Sequence, residues 1–336
     1  MQIKQKAFKE KTGFGQMRTF TGFSYAQPDQ PYTKLSFDEL NSAPISSSMT
    51  HGWIASQQHY FITAWVPQKN EAYQIMGSHL EDGNHYVLRM TSAAHRLLPN
   101  ESTSSTNVLY VGPEKAKTLE ALAPGLGLTI DYGWLWVISN ALFWLLSHIH
   151  DFIPNWGVSI ILLTGLIKLA FYRLSARSFQ SMAKMKKLQP KIEAIKQKHE
   201  HNREALGKEM MALYKKEKVN PVGGCLPMLL QIPFFIALYW VLMESVELRH
   251  APFMLWIHDL SAKDPYFILP ILMGLSMLWQ QRLTPQQDPN QAKAMLALPI
   301  VFTVMFLSFP AGLVLYWLTN NLLSIAQQWH CNKKYS

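Results

Sequence analysis

Gly157–Tyr172 reads GVSIILLTGLIKLAFY and is apolar from end to end except for one cation, Lys168. A spanning helix needs about 20 mostly apolar residues, and Phe152, Ile153 and Trp156 just before the run supply the remainder. A lysine well inside such a helix costs roughly 2.5–3.5 kcal/mol on insertion scales. The charge is tolerable if the side chain snorkels to the interface marked by Arg173, or if it faces a wet cavity. The stretch itself leaves both readings open. Thr164 lies one turn earlier and shares the helix face of Lys168.

The charge distribution outward from this run is uneven. The 336 residues hold 31 Lys+Arg against 22 Asp+Glu, a net charge of +9. Residues 1–131 carry 11 basic and 11 acidic side chains, whereas Arg173–Lys218 carries 13 basic and 5 acidic. Such a basic block suits nucleic acid, an anionic membrane face, or a cytoplasmic loop obeying the positive-inside rule. Apolar runs bracket it, which favours the loop. Cys225 and Cys331 lack CxxC partners, so neither a disulfide framework nor a zinc site is expected. The opening MQIKQKAFKEK is charged and has no apolar h-region, so it does not read as a signal peptide.

Residues 1–125 read as soluble and β-rich. Aromatic and β-branched runs at Gly52–Pro67, Tyr73–Ile75, His85–Met90 and Asn107–Val111 are punctuated by Gly, Pro, Asn and Ser, as antiparallel strands are. Glu114–Leu122 reads as a short helix, and Gly125-Leu126-Gly127 as a turn, since no βαβ unit surrounds it. Tyr132–His148 is rich in Trp and Leu but broken by Ser139 and Asn140, which suits a helix lying in the membrane interface. His148, His150 and Asp151 form a polar cap there, with no further ligands converging in sequence to make a metal site.

Beyond the first run, Met182, Met185, Leu188, Ile192 and Ile195 form one apolar stripe at spacings of three and four, and Leu206, Met210, Leu213 and Tyr214 form a second. His199–Arg203 between them reads as the turn of an antiparallel helical hairpin over Ser178–Lys218. Its His199-Glu200-His201 lacks the i, i+4 histidine spacing of a zinc helix. Four further apolar runs follow: Cys225–Met243, Pro265–Trp279, Ala294–Phe309 and Gly312–Ala326. Internal prolines require neighbours or water to satisfy freed backbone groups, and the shorter runs imply a locally thinned bilayer. With the basic hairpin in the cytoplasm, residues 1–150 fall outside, Ser245–Asp264 outside, and Arg282–Lys293 and the Lys333-Lys334 tail inside, in agreement with the positive-inside rule.

From about Tyr32 to Gln328 the sequence resembles the YidC/Oxa/Alb family of membrane protein insertases. The blocks that carry the resemblance are Ser181–Ile192 (SMAKMKKLQPKI), Glu209–Pro233 (EMMALYKKEKVNPVGGCLPMLLQIP), Ser245–Leu260 (SVELRHAPFMLWIHDL) and Phe309–Trp317 (FPAGLVLYW). Gly52–Pro67 and Asp131–Trp136 resemble the periplasmic domain of the Gram-negative branch and its junction. The resemblance implies a polytopic α-helical membrane protein: a five-helix core with a cytoplasmic hairpin, preceded by a partial β-sandwich periplasmic domain. The implied organisation is a periplasmic region over 1–130, an interfacial helix over 131–152, and the core over 153–336 with its hairpin at 178–218. The chain is expected to lack the family's N-terminal anchor, the first part of its periplasmic domain and a long ribosome-binding tail, as a fragment or a natural truncation.

The resemblance also implies a hydrophilic groove, open to cytoplasm and lipid and closed to the periplasm, with a single cation on the first core helix. The family's usual arginine is Lys168 here, which keeps the charge and loses bidentate pairing. The other groove positions fall on Thr164, Gln231, Tyr316 and Trp317. Where the family commonly has a second tyrosine, Trp317 donates but cannot accept.

The expected function is insertion and folding of inner-membrane proteins, without catalytic residues, cofactor or metal. No nucleotide-binding loop is present, so the drive comes from burial of the client in lipid and from the membrane potential. Implied partners are nascent membrane proteins, the Sec translocon, the ribosome and phospholipid, with no direct binding of nucleic acid. A transporter or channel using Lys168 as its binding charge is the alternative. It predicts a pore reaching both faces and further ionisable groups inside the membrane, and only Glu244 comes near.

Overall fold

The computed structural model describes residues 1–6, 20–27, 29–68, 71–80, 84–199, 202–217, 219, 226–283 and 289–335. Glu200, His201, Cys225 and the middle of the Arg282–Lys293 loop, all named above, lie outside these. The chain divides into two units, Met1–Gly133 with Glu244–Glu247, and Trp134–Met243 with Leu248–Ser336.

In the first unit, alternation of buried and exposed residues builds two antiparallel sheets. Strands β1 (Gln2–Lys6), β8 (His85–Ser92), β7 (Tyr73–Leu80) and β4 (Ile45–Met49) form one sheet in that order. Strands β3 (Gln30–Leu35), β2 (Gly22–Gln27), β5 (Ile54–Gln58), β6 (Phe61–Pro67) and β9 (Asn107–Pro113) form the other. Residues of both sheets share one core: Phe23, Leu35 and Ile54 from one pack with Ile3, Ile75, Leu88 and Met90 from the other. The result is sandwich-like. Helix α1 (Phe37–Ser42) starts on a capping box between Ser36 and Glu39 and contributes Leu40 to that core. Helix α2 (Ala116–Leu122) is followed by a tight 3-10 segment, Leu126–Thr129, entered through Gly125 at φ 78°. That backbone conformation and the proximity of the Pro31 carbonyl explain the glycine.

The second unit is helical. It comprises α3 (Trp136–Phe152), α4 (Trp156–Ala170), α5 (Tyr172–Lys198), α6 (Arg203–Lys216), α7 (Leu226–Glu244, whose last residue belongs to the first unit), α8 (Ile268–Leu283), α9 (Pro289–Phe306) and α10 (Ala311–Tyr335). Helix α10 packs on α4, α5 and α8, while α9 packs on α8 and α3 on α4. Gly274 of α8 faces Thr303 of α9 so closely that an added Cβ would meet the threonine Oγ1. The loop between α7 and α8 is tied to the start of α10: Ala311 and Gly312 donate backbone N–H groups to Ala262 and Leu260 at 2.7 and 2.9 Å. Buried Asp264 gathers Trp256 Nε1 at 3.0 Å and the backbone N–H groups of Tyr266 and Leu269 at 3.0 and 2.7 Å.

Two features of this unit bear on the expected spans. The first apolar run ends at Ala170, and α5 leaves it at 67° across Phe171. Helix α5 then continues unbroken through Ser178 and through Pro190 into the hairpin, so the chain turns at Phe171 and not at Ser178. Its α5–α6 contact is apolar, built from Met185, Leu188 and Ile192 against Met210, Leu213 and Tyr214. Second, no single helix among the described residues is long and apolar enough to cross a membrane, whereas the bent pair α4 and Tyr172–Met185 passes that test together. Helix α4 has 15 residues, which at 1.5 Å each span about 22 Å against the ~30 Å of a hydrocarbon core.

Candidate functional site

Lys168 sits in the last turn of α4, whose phase is set at its other end. Asn155 caps that end by accepting from Val158 N at 3.0 Å, and its Nδ2 donates to the Phe253 carbonyl at 2.8 Å. The Lys168 side chain is half-buried, and its Nζ donates to Ser324 Oγ of α10 at 2.8 Å and to Gln231 Oε1 of α7 at 3.4 Å. Gln231 Nε2 in turn donates to Asn320 Oδ1, and Ser324 Oγ donates to the Asn320 carbonyl at 2.7 Å. Three helices therefore meet around one ammonium through uncharged acceptors. Among the described residues no carboxylate lies within ion-pair reach of it.

Other expected groove residues are placed differently. Thr164 is buried, but its hydroxyl donates to the Ile160 carbonyl at 2.6 Å on its own helix. This back-bond keeps it out of the hydrogen-bond chain around Lys168. Tyr316 is buried and stacks on Phe235 at 6.3 Å, and its hydroxyl has no hydrogen-bond partner among the described residues. Trp317 belongs to an aromatic cluster, 4.6 Å from Phe235 edge-on, 6.0 Å from Phe302 and 5.4 Å from Phe306. Its buried Nε1 has no hydrogen-bond partner among the described residues, and neither does the Gln281 side chain or Gln328 Oε1.

Sequence reasoning passed over Asn320 and Ser324. The signal was available: Asn320, Asn321, Ser324, Gln327 and Gln328 fall at i, i+1, i+4, i+7 and i+8, one polar face on an apolar helix. All five are buried. Asn321 Nδ2 donates to Ser276 Oγ at 3.1 Å, Gln327 Nε2 to the Tyr172 carbonyl at 3.1 Å, and Gln328 Nε2 to the Leu283 carbonyl at 3.2 Å.

The outside of this unit is the reverse of its inside. Leu162, Leu166 and Leu169 of α4, Ile271, Leu272, Leu275 and Trp279 of α8, and Ile300, Val301 and Val304 of α9 are exposed. On α3 Ser139 is buried, its Oγ donating to the Ala237 carbonyl at 3.1 Å, while Trp136, Trp144 and Phe152 face outward. The nearby histidines make no metal cluster among the described residues. His148 Nδ1 lies 2.9 Å from the Trp144 carbonyl, and His150 stacks on Trp156 at 4.0 Å.

Residues 148–336 match the family described as 60Kd inner membrane protein. The chain belongs to that family. Residues 1–145 match a second description, the YidC periplasmic domain, so an inner-membrane region follows a periplasmic-type domain. Relatives include membrane protein insertases YidC of Coxiella burnetii, 53% identical over 324 residues, and of Alkalilimnicola ehrlichii, 55% identical over 313. That of Pseudomonas aeruginosa is 53% identical over 317. These alignments cover 95%, 93% and 94% of this chain but 57%, 56% and 55% of the relatives, so the chain spans little more than half their length. A crystal structure of an active YidC insertase with its first transmembrane domain resolved is similar in fold, with a TM-score of 0.53 over 91% of this chain and 82% of that one, at 22% identity.

Proposed function

We propose that this member of the 60Kd inner membrane protein family is a membrane protein insertase, and that the Lys168 cluster is the floor of its client groove. The observation that carries the reading is an ammonium held by Ser324 and Gln231 inside a helical unit whose outer faces are apolar. In such a groove the cation and neighbouring polar groups shorten the apolar path and attract acidic segments of an incoming chain. The unpartnered Trp317 Nε1 and Gln281 support the reading, because buried polar groups are normally completed by water or by another chain. Thr164 sits at the groove wall as a packing residue; Tyr316 and Trp317 form its aromatic end.

The proposed topology has five spans, with α4 and the start of α5 together making the first, and α7, α8, α9 and α10 the others. Their apolar lengths fit a locally thinned bilayer. Residues 1–130 lie in the periplasm, α3 in the interface, and the basic hairpin and C-terminus in the cytoplasm, as the charge distribution favours. Nascent membrane proteins are the proposed clients; the Sec translocon, the ribosome and phospholipid are proposed partners. A transporter built on Lys168 is disfavoured, since no second ionisable group faces the lysine among the described residues.

A membrane-insertion assay on one acidic and one neutral client tests the reading. Lys168→Arg retains insertion of both. Lys168→Ala lowers that of the acidic client by about tenfold, the equivalent of ~1.4 kcal/mol, and Lys168→Glu lowers it further by replacing attraction with repulsion. Lys168→Gln behaving like the parent would transfer the role from charge to hydration. Equal activity of Lys168→Glu and the parent on the acidic client removes charge attraction from the mechanism.

A further inference from the structure

We infer that Asn320 is the positioning residue of the groove: its side-chain carbonyl sets which face Gln231 presents to Lys168. The inference rests on the insertase reading and adds to it a residue that neither the sequence motifs nor the family resemblance marks. A glutamine amide has an accepting oxygen and a donating nitrogen, and a rotation of its terminal bond exchanges them. Only the oxygen can face an ammonium, because Lys168 Nζ is donor-only. Gln231 Nε2 donates to Asn320 Oδ1 of α10, and this turns Gln231 Oε1 toward Lys168 Nζ at 3.4 Å.

Asn320 acts a second time through its main chain. Its carbonyl takes the Ser324 hydroxyl proton at 2.7 Å, which leaves a Ser324 lone pair for Lys168 Nζ at 2.8 Å. Both acceptors of the cation are thereby oriented by one residue that does not touch it. The main-chain bond survives any substitution at 320, so side-chain variants probe the Gln231 arm alone. Asn320 lies on the buried polar face of α10, and α7 supplies Gln231 from across the helix contact, so the chain of bonds also joins α10, α7 and α4.

The test is a double-mutant cycle in the full chain in native membranes, with Asn320→Leu, Gln231→Leu and their combination. Two quantities are read: the thermal unfolding midpoint in mild detergent and insertion of an acidic client. A bond to a charged group's network is worth about a five- to tenfold effect. Asn320→Leu is expected to reduce insertion by about that factor, as Gln231→Leu does, and the double variant no further, because Asn320 works through Gln231. Asn320→Ser, which keeps an accepting oxygen on the same face, is expected to recover most of the loss.

Additive losses in both readouts, or Asn320→Leu as harmful in the Gln231→Leu background as alone, overturn the inference and leave Asn320 a packing residue. Coupled unfolding midpoints with insertion insensitive even to Lys168→Ala support the Asn320–Gln231 pairing and overturn the insertase groove instead. The two failures are thereby told apart.

Discussion

Trp317 carries a buried indole N–H with no hydrogen-bond partner among the described residues, packed within an aromatic cluster. An unmade hydrogen bond at a buried donor costs about 1–3 kcal/mol. Trp317→Phe removes the donor and keeps most of the ring contact. If Trp317 were only a packing residue, that exchange would leave the thermal midpoint level or slightly raised and insertion untouched. If the proposed client groove is right, the expected outcome is a level or raised midpoint together with a several-fold loss of insertion, the donor then being completed by the client or by groove water. Lys168 was legible in the sequence as a cation inside an apolar run, and Gln231 through the family resemblance. Asn320 and Ser324 were not, because the pattern of α10 gives a polar face but not the Lys168 and Gln231 that meet it from α4 and α7. For Thr164, sharing a face with Lys168 says nothing about where its hydroxyl proton goes, and the helix's own Ile160 carbonyl takes it.

Elements were legible where their periodicity is carried by large apolar residues. The β5–β6 hairpin and the two hairpin stripes of α5 and α6 are of that kind. Strands β1 (QIKQK) and β4 (ISSSM) are not; they are strands because they pair with β8 and β7, whose apolar residues fill the core. The bend at Phe171 was equally hidden, since Tyr172–Lys198 shows no break in its helical pattern. The hairpin's surface contacts are exposed ion pairs, Lys191–Glu217 at 2.7 Å, Lys198–Glu209 at 3.0 Å and Lys208–Glu204 at 2.7 Å. Each such pair is worth about 0–1 kcal/mol and weakens with salt. Its apolar cluster is small beside the core around α10. Backbone amides of α5 beyond Met185 and of α6 are therefore expected to exchange with deuterium much faster than those of α10, and faster again in high salt. Protection in the hairpin equal to that of α10 would make it part of the rigid core.

At the scale of the whole molecule, the two units distribute their polar groups in opposite ways. The sandwich buries apolar side chains and exposes polar ones, whereas the helical unit buries Asn320, Ser324 and Gln327 and exposes leucines and tryptophans. Their stabilities should therefore answer to different variables, and in the first unit that variable is pH. Glu114 is buried at the end of β9, and burial followed by the nearby Glu244 carboxylate pushes its carboxyl up to about 8, with a Gln57 hydrogen bond opposing the rise. Tyr32, Tyr110 and Tyr132 also sense the Glu114 charge, and His59 lies 3.9 Å from Glu244. A carboxyl raised above its unfolded value holds a proton that the unfolded chain has released. Its contribution to stability is thus present below about pH 4.5 and is lost as pH rises toward 8. The sandwich of the full chain is expected to unfold at a lower temperature at pH 9 than at pH 6. Glu114→Gln, which stays neutral at both, should flatten that dependence without changing the response of the helical unit. A Glu114→Gln profile as steep as the parent's would show that Glu114 does not carry the alkaline loss, since tyrosines raised above 10 stay protonated in both states through pH 9.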